Sequence, residues 1–219
     1  METKHLAKTT TLQLGGKLLS TFIGLIATLQ LMRLLGPEQL GWYTIASGYL
    51  QFVGIVGDFG FMLVTSTLLS EPAFDKTKVF NTIFTWRLIT TLILQGTAPL
   101  AFLLFSYPTP IPSAVAILSI SFFAVQLNQI CAGYFQARLQ SHIPVIGEVI
   151  ARITLLAGIT SLRMYGGAAF LPLIVVITLS SLLNTVYLFI RHGLFKLELD
   201  RAISRALFTK TWPTALCII

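Results

Sequence analysis

Six apolar stretches fill almost all of this chain of 219 residues, and each is long enough to cross a lipid bilayer. The hydrocarbon core of a bilayer is about 30 Å thick and needs roughly 20 apolar residues of helix. Inside it, only helices and closed barrels satisfy the hydrogen bonds of every backbone group. The apolar runs are continuous and do not alternate with a period of two, which favours helices. The sequence therefore predicts an all-α, polytopic membrane protein.

The composition argues against a soluble protein. Charged residues make up 11% of the chain, against about 25% in soluble domains. The net charge of +7 comes from cations scattered over short loops. They are not clustered with aromatic side chains, so they predict a membrane topology and no nucleic-acid partner. Cys131 and Cys217 both lie in apolar runs, so neither a disulfide framework nor a metal site is expected, and no cofactor is predicted.

The chain divides into three predicted parts. A six-helix transmembrane lobe covers residues 1–190, a basic cytoplasmic linker covers 191–211, and 212–219 is the start of a seventh span. Because the last apolar run is cut off, we expect the chain to be a fragment. The predicted spans are Thr11–Leu35, Leu40–Leu69, Val79–Phe105, Ile111–Ala137, Pro144–Met164 and Ala168–Ile190.

Lysine and arginine are distributed unevenly between the segments outside the spans. With a cytoplasmic N-terminus, the outside segments hold two of them, Arg33 and Arg163. Cytoplasmic loops of membrane proteins carry an excess of these residues, so we predict that the N-terminus is cytoplasmic. The inside segments then hold ten, namely Lys4, Lys8, Lys76, Lys78, Arg138, Arg191, Lys196, Arg201, Arg205 and Lys210.

The second predicted span is too long for a straight crossing. Its 30 residues, Leu40–Leu69, would measure about 45 Å as a helix, so it is expected to tilt, bend or break. Gly57 and Gly60 flank Asp58 and weaken the helix there, and Pro99 removes a backbone hydrogen bond in the third span. These residues are candidate hinges, and close helix packing is the alternative for the glycines.

Five charged residues lie inside the predicted spans: Lys17, Asp58, Arg87, Glu148 and Arg152. A charge at the bilayer centre costs about 2.5 to 3.5 kcal/mol on insertion scales, so these groups should face a bundle interior or a water-filled cavity. Counted along the spans, all five fall in the cytoplasmic half of the membrane. The cationic excess predicts a hydrated cavity suited to an anionic headgroup.

The same charges suggest pairings. Asp58 and Arg87 lie at similar depth on consecutive antiparallel helices, so we predict that they pair. Glu148 and Arg152 are four residues apart on one helix face and can pair as well, which leaves Lys17 without an obvious partner. Two alternatives stay open: buried pairs that only fix helix register, and a Lys17 side chain that extends to the near interface.

Uncharged polar side chains also lie within the spans. Such faces predict either a cavity lining or interhelical hydrogen bonds, which contribute about 0.6 kcal/mol each. The chain has no Gly-rich phosphate loop, no H-E-x-x-H helix and no nucleophile beside a base, so we predict that it is not an enzyme. These faces consist of Gln126, Gln129, Gly133 and Gln136 in span four and Thr178, Ser181, Asn184 and Thr185 in span six.

Several motifs occur in the order found in a known transporter family. The segment from Leu34 to Tyr43, LLGPEQLGWY, resembles the turn between the first two spans of the bacterial polysaccharide (O-antigen, Wzx-type) flippases of the multidrug/oligosaccharidyl-lipid/polysaccharide exporter superfamily. The segment Gly57-Asp58-Phe59-Gly60 resembles that family's acid-plus-glycine motif, and Arg87 resembles a recurring arginine early in span three. Thr211-Trp212-Pro213 is similar to the entrance of span seven.

This resemblance implies two six-helix lobes around a central cavity, of which the chain covers the N-terminal lobe. It implies alternating access, driven by an ion gradient, that moves undecaprenyl-pyrophosphate-linked oligosaccharide from the cytoplasmic to the periplasmic leaflet of the bacterial inner membrane. Polysaccharide polymerase and glycosyltransferases are the implied protein partners. By resemblance, the candidate substrate-binding residues are Lys17, Arg87 and Arg152 for pyrophosphate or acidic sugars and Gln126, Gln129 and Asn184 for sugar hydroxyls. Candidates for ion coupling or pairing are Asp58 and Glu148.

Members of that family are about twice as long as this chain, so either it is a fragment or two copies assemble. Two other functions stay open. A drug/cation antiporter of the same superfamily would favour an acidic cavity, whereas the excess here is cationic. A non-transporting scaffold subunit would hold all five membrane charges in closed pairs.

Overall fold

A computed structural model describes residues 2–58, 76–138, 140–165, 169–192, 197–207 and 209, and the side chains of all of these except 2–12, 76, 137 and 192. The described part is helical, with short connections and no strand. The helices are α1 (Glu2–Asp58), α2 (Lys76–Phe102), α3 (Pro110–Ala137), α4 (His142–Met164) and α5 (Phe170–His192), followed by a short helix, α6, over 201–207.

Helix α1 is two arms joined at a break. Gly36 has a φ of 67° and a ψ of 178°, a backbone conformation that glycine adopts without a steric penalty. Pro37 follows and suits the first turn of the second arm. The first arm, over 2–35, corresponds to the first predicted span. The second arm, over 37–58, corresponds to the second predicted span as far as Asp58, and residues 59–69 of that span lie outside the described residues. Together with α2 to α5 the two arms give the six helices expected from the sequence.

The described part of the chain contains four helices that are long and apolar enough to cross a membrane. The first of them includes both arms of α1, and 46 residues of straight helix would measure about 69 Å. The break at Gly36 therefore allows two crossings. Helix α2 is long enough but is not among the four, since it carries Arg87 and Gln95 in its apolar part. The four helices are Gln13–Asp58, Pro110–Gln136, His142–Met164 and Phe170–Arg191.

Contacts between the helices establish their relative directions. Across α1 and α4, Lys17 meets Glu148 and Gln30 meets Thr160, with separations of 131 and 130 positions. A constant separation means that these two helices are parallel. In α3 and α5, Ser121 meets Ser181 at a separation of 60 and Thr185 reaches Ala124 at 61, so they are parallel too. Spans one and five are therefore parallel, and so are spans four and six. The predicted topology requires both of these relative directions.

Two apolar clusters fill the two ends of the bundle. One joins both arms of α1 with α2, α3, α4 and α5, and includes Leu31, Leu50, Phe102 and Ile159. The other joins α2, α3, α4 and α5 through Phe80, Phe84, Leu127, Cys131, Phe135, Ile143 and Leu188. Because residues from both α1 arms lie in the first cluster, the arms fold back into one bundle.

The predicted cytoplasmic linker contains a helix that packs on α2. Ile203 and Leu207 of α6 form a buried cluster with Val79 and Ile83, and Trp86 Nε1 donates a hydrogen bond of 2.9 Å to Ser204 Oγ. The predicted start of a seventh span, over 212–219, lies outside the described residues.

Asp200 caps α6. Its Oδ1 accepts hydrogen bonds from the backbone N–H groups of Ala202 and Ile203 at 2.8 and 3.2 Å, as an N-cap acid does. Its own backbone N–H donates to Thr82 Oγ1 at 3.3 Å. This side chain therefore fixes the start of α6 on α2.

Candidate functional site

The charges of the predicted spans form two separate clusters. The first, which we call the Arg87 cluster, consists of Asp58, Arg87 and Gln126. Arg87 Nη1 donates to Asp58 Oδ1, so the predicted pair forms. Arg87 Nη2 donates to Gln126 Oε1 at 2.6 Å, and Gln126 Nε2 donates to the Gly54 carbonyl at 3.1 Å. The cluster thus joins the second arm of α1 to α2 and α3.

The burial of Arg87 distinguishes this cluster from an open binding site. The Arg87 side chain is 3% exposed, whereas that of Asp58 is 33% exposed. Gln126 is buried as well. A buried arginine that contacts a carboxylate and an amide fixes the packing of three helices. This corresponds to the alternative in which the pair only fixes helix register. Substrate contact by Arg87 and Gln126 remains a prediction from the resemblance.

The candidate hinge Gly57 and the nearby Gly54 lie where helices approach closely. A Cβ at Gly54 would be 2.6 Å from Gln126 Nε2, and one at Gly57 would be 2.9 Å from Leu94 Cδ1. Close packing therefore explains the glycine at position 57 without a hinge. Gly60 lies outside the described residues, and Pro99 lies within α2. The hinge role of Gly57, Gly60 and Pro99 stays a prediction.

The polar residues predicted to contact sugars lie in different surroundings. Gln126 is buried, whereas Gln129 on the same helix is exposed, so the predicted polar face of α3 is not a single surface. Asn184 lies against α4, where its Oδ1 would be 2.4 Å from a Cβ at Gly147. Among the described residues, no hydrogen bond joins Asn184 to Gln126 or Gln129.

Polar residues of span six form interhelical hydrogen bonds, which was the alternative to a cavity lining. The hydroxyls of Ser121 and Ser181 are 2.7 Å apart, and Thr185 Oγ1 reaches the Ala124 carbonyl at 3.5 Å. These bonds join α3 to α5 and leave their side chains in the interface between the two helices.

The second cluster lies along the parallel contact of the first α1 arm with α4, which we call the α1–α4 seam. Lys17 Nζ donates to Glu148 Oε2 at 2.8 Å. The predicted pair of Glu148 with Arg152 was wrong, because parallel packing brings Lys17 beside Glu148. The side chains of Lys17 and Glu148 are 61% and 29% exposed.

Arg152 lies one turn further along the seam. A Cβ at Gly24 would be 3.3 Å from Arg152 Nε, so the guanidinium group occupies space that this glycine leaves free. Among the described residues, Arg152 has no hydrogen-bond or ion-pair partner within 4 Å. It therefore differs from Arg87, which has a carboxylate partner.

The seam as a whole is cationic. The first α1 arm and α4 hold Lys17, Arg33, Arg152 and Arg163 between positions 13–35 and 142–164, against a single acid, Glu148. Within the described part of the chain, no group of three His, Cys, Asp or Glu side chains could hold a metal ion. The seam can therefore attract an anion by charge and hydrogen bonding.

Two features of these clusters were not predicted from the sequence. Gln95, which is buried, donates from Nε2 to the Leu50 carbonyl at 3.4 Å and extends the polar contacts between α1 and α2. The Lys17–Glu148 pair was missed because it depends on which helices pack in parallel. The glycines at positions 16 and 24 could have indicated that this face of α1 packs closely on another helix, since small residues mark close helix contacts.

Comparison of the chain with models of known families, with curated proteins and with solved structures finds no match. The resemblance to polysaccharide flippases rests on the motifs of the sequence alone.

Proposed function

We propose that this chain moves a lipid-linked oligosaccharide, carried on undecaprenyl pyrophosphate, between the leaflets of a bacterial inner membrane during polysaccharide assembly. The observation that carries the proposal is the α1–α4 seam, in which four cations accompany one acid along two helices of membrane-spanning length. A cationic row of this kind suits a pyrophosphate group, whose negative charge must cross the low-dielectric core.

Arg152 supports this function more directly than Arg87 does. An arginine within an apolar helix is costly unless a partner or water satisfies it, and Arg152 has no ion-pair partner in the described part of the chain. A passing phosphate offers the planar, bidentate contacts that a guanidinium group prefers. Arg152 is therefore the residue that we assign to the headgroup.

The Lys17–Glu148 pair provides a site at which partners can be exchanged. An exposed ion pair contributes only about 0 to 1 kcal/mol to stability, and the Lys17 side chain is 61% exposed. A phosphate oxygen can therefore replace Glu148 as the partner of Lys17 at small cost. In the predicted topology this end faces the cytoplasm, where the lipid-linked substrate is assembled.

Asp58 remains the candidate for ion coupling. Its carboxylate contacts Arg87, and a third of its side chain is exposed. Binding of a proton or a small cation at this carboxylate would weaken its contact with Arg87. The second α1 arm and α2 would then be free to change their packing during alternating access.

Transport by seam variants tests the proposal. Arg152→Gln and Lys17→Gln are reconstituted into liposomes with a fluorescent lipid-linked oligosaccharide, and Arg191→Gln, an exposed residue outside the seam, is the control. Loss of a charge-assisted contact of about 1.5 to 3 kcal/mol should slow flipping by about tenfold or more in Arg152→Gln. Flipping at the control rate by both seam variants would rule out the seam as the path.

One observation favours the alternative of a non-transporting scaffold. Of the five predicted membrane charges, four are present in two pairs, Asp58–Arg87 and Lys17–Glu148. The surroundings of Arg152 separate the two functions. In an Arg152→Cys variant with Cys131 and Cys217 replaced by serine, a membrane-impermeant thiol reagent should label position 152 if the seam is hydrated. A scaffold with a dry seam would stay unlabelled.

The drug/cation antiporter is the weaker alternative. A cationic drug would be repelled by the charges at Lys17 and Arg152, and the single acid of the seam, Glu148, is already paired with Lys17. Competition by an organic cation in the flipping assay would favour the antiporter, whereas competition by pyrophosphate would favour the flippase.

A further inference from the structure

We propose that the end of the α1–α4 seam opposite Lys17 binds a phosphate-type anion between Arg33 and Arg163. A cleft of about 130 Å³ lies there, lined by Gln30, Arg33, Leu34 and Arg163. This volume is several times the roughly 30 Å³ that one water molecule occupies in the liquid. The cleft is therefore large enough for an anion with part of its hydration shell.

The position of the cleft distinguishes it from the Lys17–Glu148 pair. Arg33 lies 16 positions after Lys17 in α1, which corresponds to about 24 Å along a helix. Arg163 lies in the last turn of α4. The site is thus at the far end of the seam, and it does not depend on the chain being a transporter.

The two arginines line one cleft without an acid beside them in its lining. Both side chains are exposed, and neither forms an ion pair with any described residue. The nearest acid in the sequence, Glu38, lies beyond the break at Gly36 and is also without an ion-pair partner in the described part of the chain. Two like charges that line one cleft repel each other, and a bound anion removes this repulsion.

The donors present suit phosphate. Each guanidinium group can donate two parallel hydrogen bonds to phosphate oxygens. Thr160 Oγ1 lies 3.2 Å from Gln30 Oε1, so the carbonyl end of this amide is held by α4. The Gln30 amide N–H groups have no partner among the described residues and are a third source of donors for the cleft.

Charge distribution gives a further reason to assign a ligand. Arg33 and Arg163 are the two cations that the predicted topology places outside, where lysine and arginine are disfavoured. They are 130 positions apart in the sequence and still line the same cleft. The dipole at a helix C-terminus favours a cation by about 0.3 to 1 kcal/mol, which accounts for either arginine alone but not for their meeting at one cleft.

Two sources of phosphate share this chemistry, an anionic lipid headgroup and a free phosphate or pyrophosphate. Exposed apolar side chains lie close to the arginines in sequence, among them Leu29, Met32 and Met164, and these would contact acyl chains. A free anion would use the arginines and Gln30 alone.

The experiment uses the whole chain in lipid nanodiscs. The variant Arg33→Gln/Arg163→Gln removes both charges. Arg191→Gln/Arg201→Gln removes two exposed cations elsewhere and is the matched control, and Arg33→Lys/Arg163→Lys keeps the charge. In the first arm, native mass spectrometry counts phosphatidylglycerol retained from a mixture with phosphatidylcholine. In the second, calorimetry measures inorganic pyrophosphate binding in phosphatidylcholine alone.

The glutamine variant should lose about tenfold or more in binding in at least one arm, while the lysine variant loses less and the control is unchanged. Loss in the first arm identifies a lipid headgroup, and loss in the second identifies a free anion. If the glutamine variant matches the control in both arms, the proposal is wrong. Unchanged helix content by circular dichroism establishes that the variants are folded.

Discussion

Arg87 and Arg152 are both arginines that the sequence places about eight residues from the cytoplasmic end of an apolar span, yet the fold treats them differently. Arg87 is 3% exposed and contacts Asp58 and Gln126. Arg152 lies against Gly24 and has no ion-pair partner in the described residues. The same residue type at similar depth thus stabilises a helix interface in one place and stays available to a ligand in the other.

The difference lies in the partners and the exposure of each residue. The Arg87 cluster joins three helices, and its acid and amide surround the guanidinium group. In the α1–α4 seam, the side chains of Lys17 and Glu148 are 61% and 29% exposed, and Arg152 has no ion-pair partner among the described residues. In a membrane protein, the partners and exposure of a charge therefore say more about its role than its depth does.

The comparison predicts its largest effect for removal of Arg87. Arg87→Met should lower the free energy of unfolding by about 3 to 5 kcal/mol, because it leaves a buried cluster without its central donor. Lys17→Met, the matched change in the seam, should cost about 0 to 1 kcal/mol. Thermal unfolding in one detergent, followed by tryptophan fluorescence, measures both. Equal losses would remove the distinction between the two regions.

A second pair of variants sharpens the comparison within α3. Gln126→Leu should cost about 1 to 3 kcal/mol, because Arg87 Nη2 loses its acceptor and the Gly54 carbonyl its donor. Gln129→Leu, three residues away and exposed, should change stability by less than about 0.5 kcal/mol. The same unfolding assay applies. A larger loss at Gln129 would mean that the polar face of α3 is used as the sequence first suggested.

Adjacent glycines test the parallel packing of the seam. A Cβ at Gly16 would be 2.4 Å from Val145 Cγ1, whereas at Gly15 nothing lies within 4 Å. Valine is stiff at χ1, so Gly16→Ala should cost about 1 to 3 kcal/mol. Gly15→Ala should instead stabilise the helix by up to about 1 kcal/mol. Chemical denaturation of the two variants gives the sign of each change, and a stabilising Gly16→Ala would contradict the packing.

The smallest expected effect is the coupling of Lys17 with Glu148. A double-mutant cycle with Lys17→Gln and Glu148→Gln should give about 0.2 to 1 kcal/mol. Because the pair is exposed, this coupling should fall as the Debye length shrinks from about 10 Å at 0.1 M salt to about 3 Å at 1 M. The Asp58–Arg87 cycle should depend much less on salt. A salt-independent seam pair would mean that the seam is closed to solvent.

The sequence alone predicted the helices well because their signals are local. Apolar length located the arms of α1 and helices α3 to α5, and Gly36-Pro37 marked the break. The Asp58–Arg87 pair was predictable as well, since consecutive antiparallel helices place residues of equal depth side by side.

Contacts between distant helices were less predictable. Glu148 and Arg152 have the spacing of a helical ion pair, but the spacing does not show that Lys17 lies across the seam. Gln126 and Gln129 share a helix face by spacing, and only the position of Arg87 shows which one is buried. Such outcomes depend on the register between helices, which a single sequence does not contain.

The attachment of α6 to α2 has a mechanical consequence. Glu198 N donates to Thr85 Oγ1 at 3.1 Å, and Trp86 Nε1 to Ser204 Oγ at 2.9 Å, so the stretch after α5 is clamped to the same helix that carries Arg87. The described stretch that includes Glu198 and α6 is therefore held on α2. Any tilt of α2 would therefore move α6 with it.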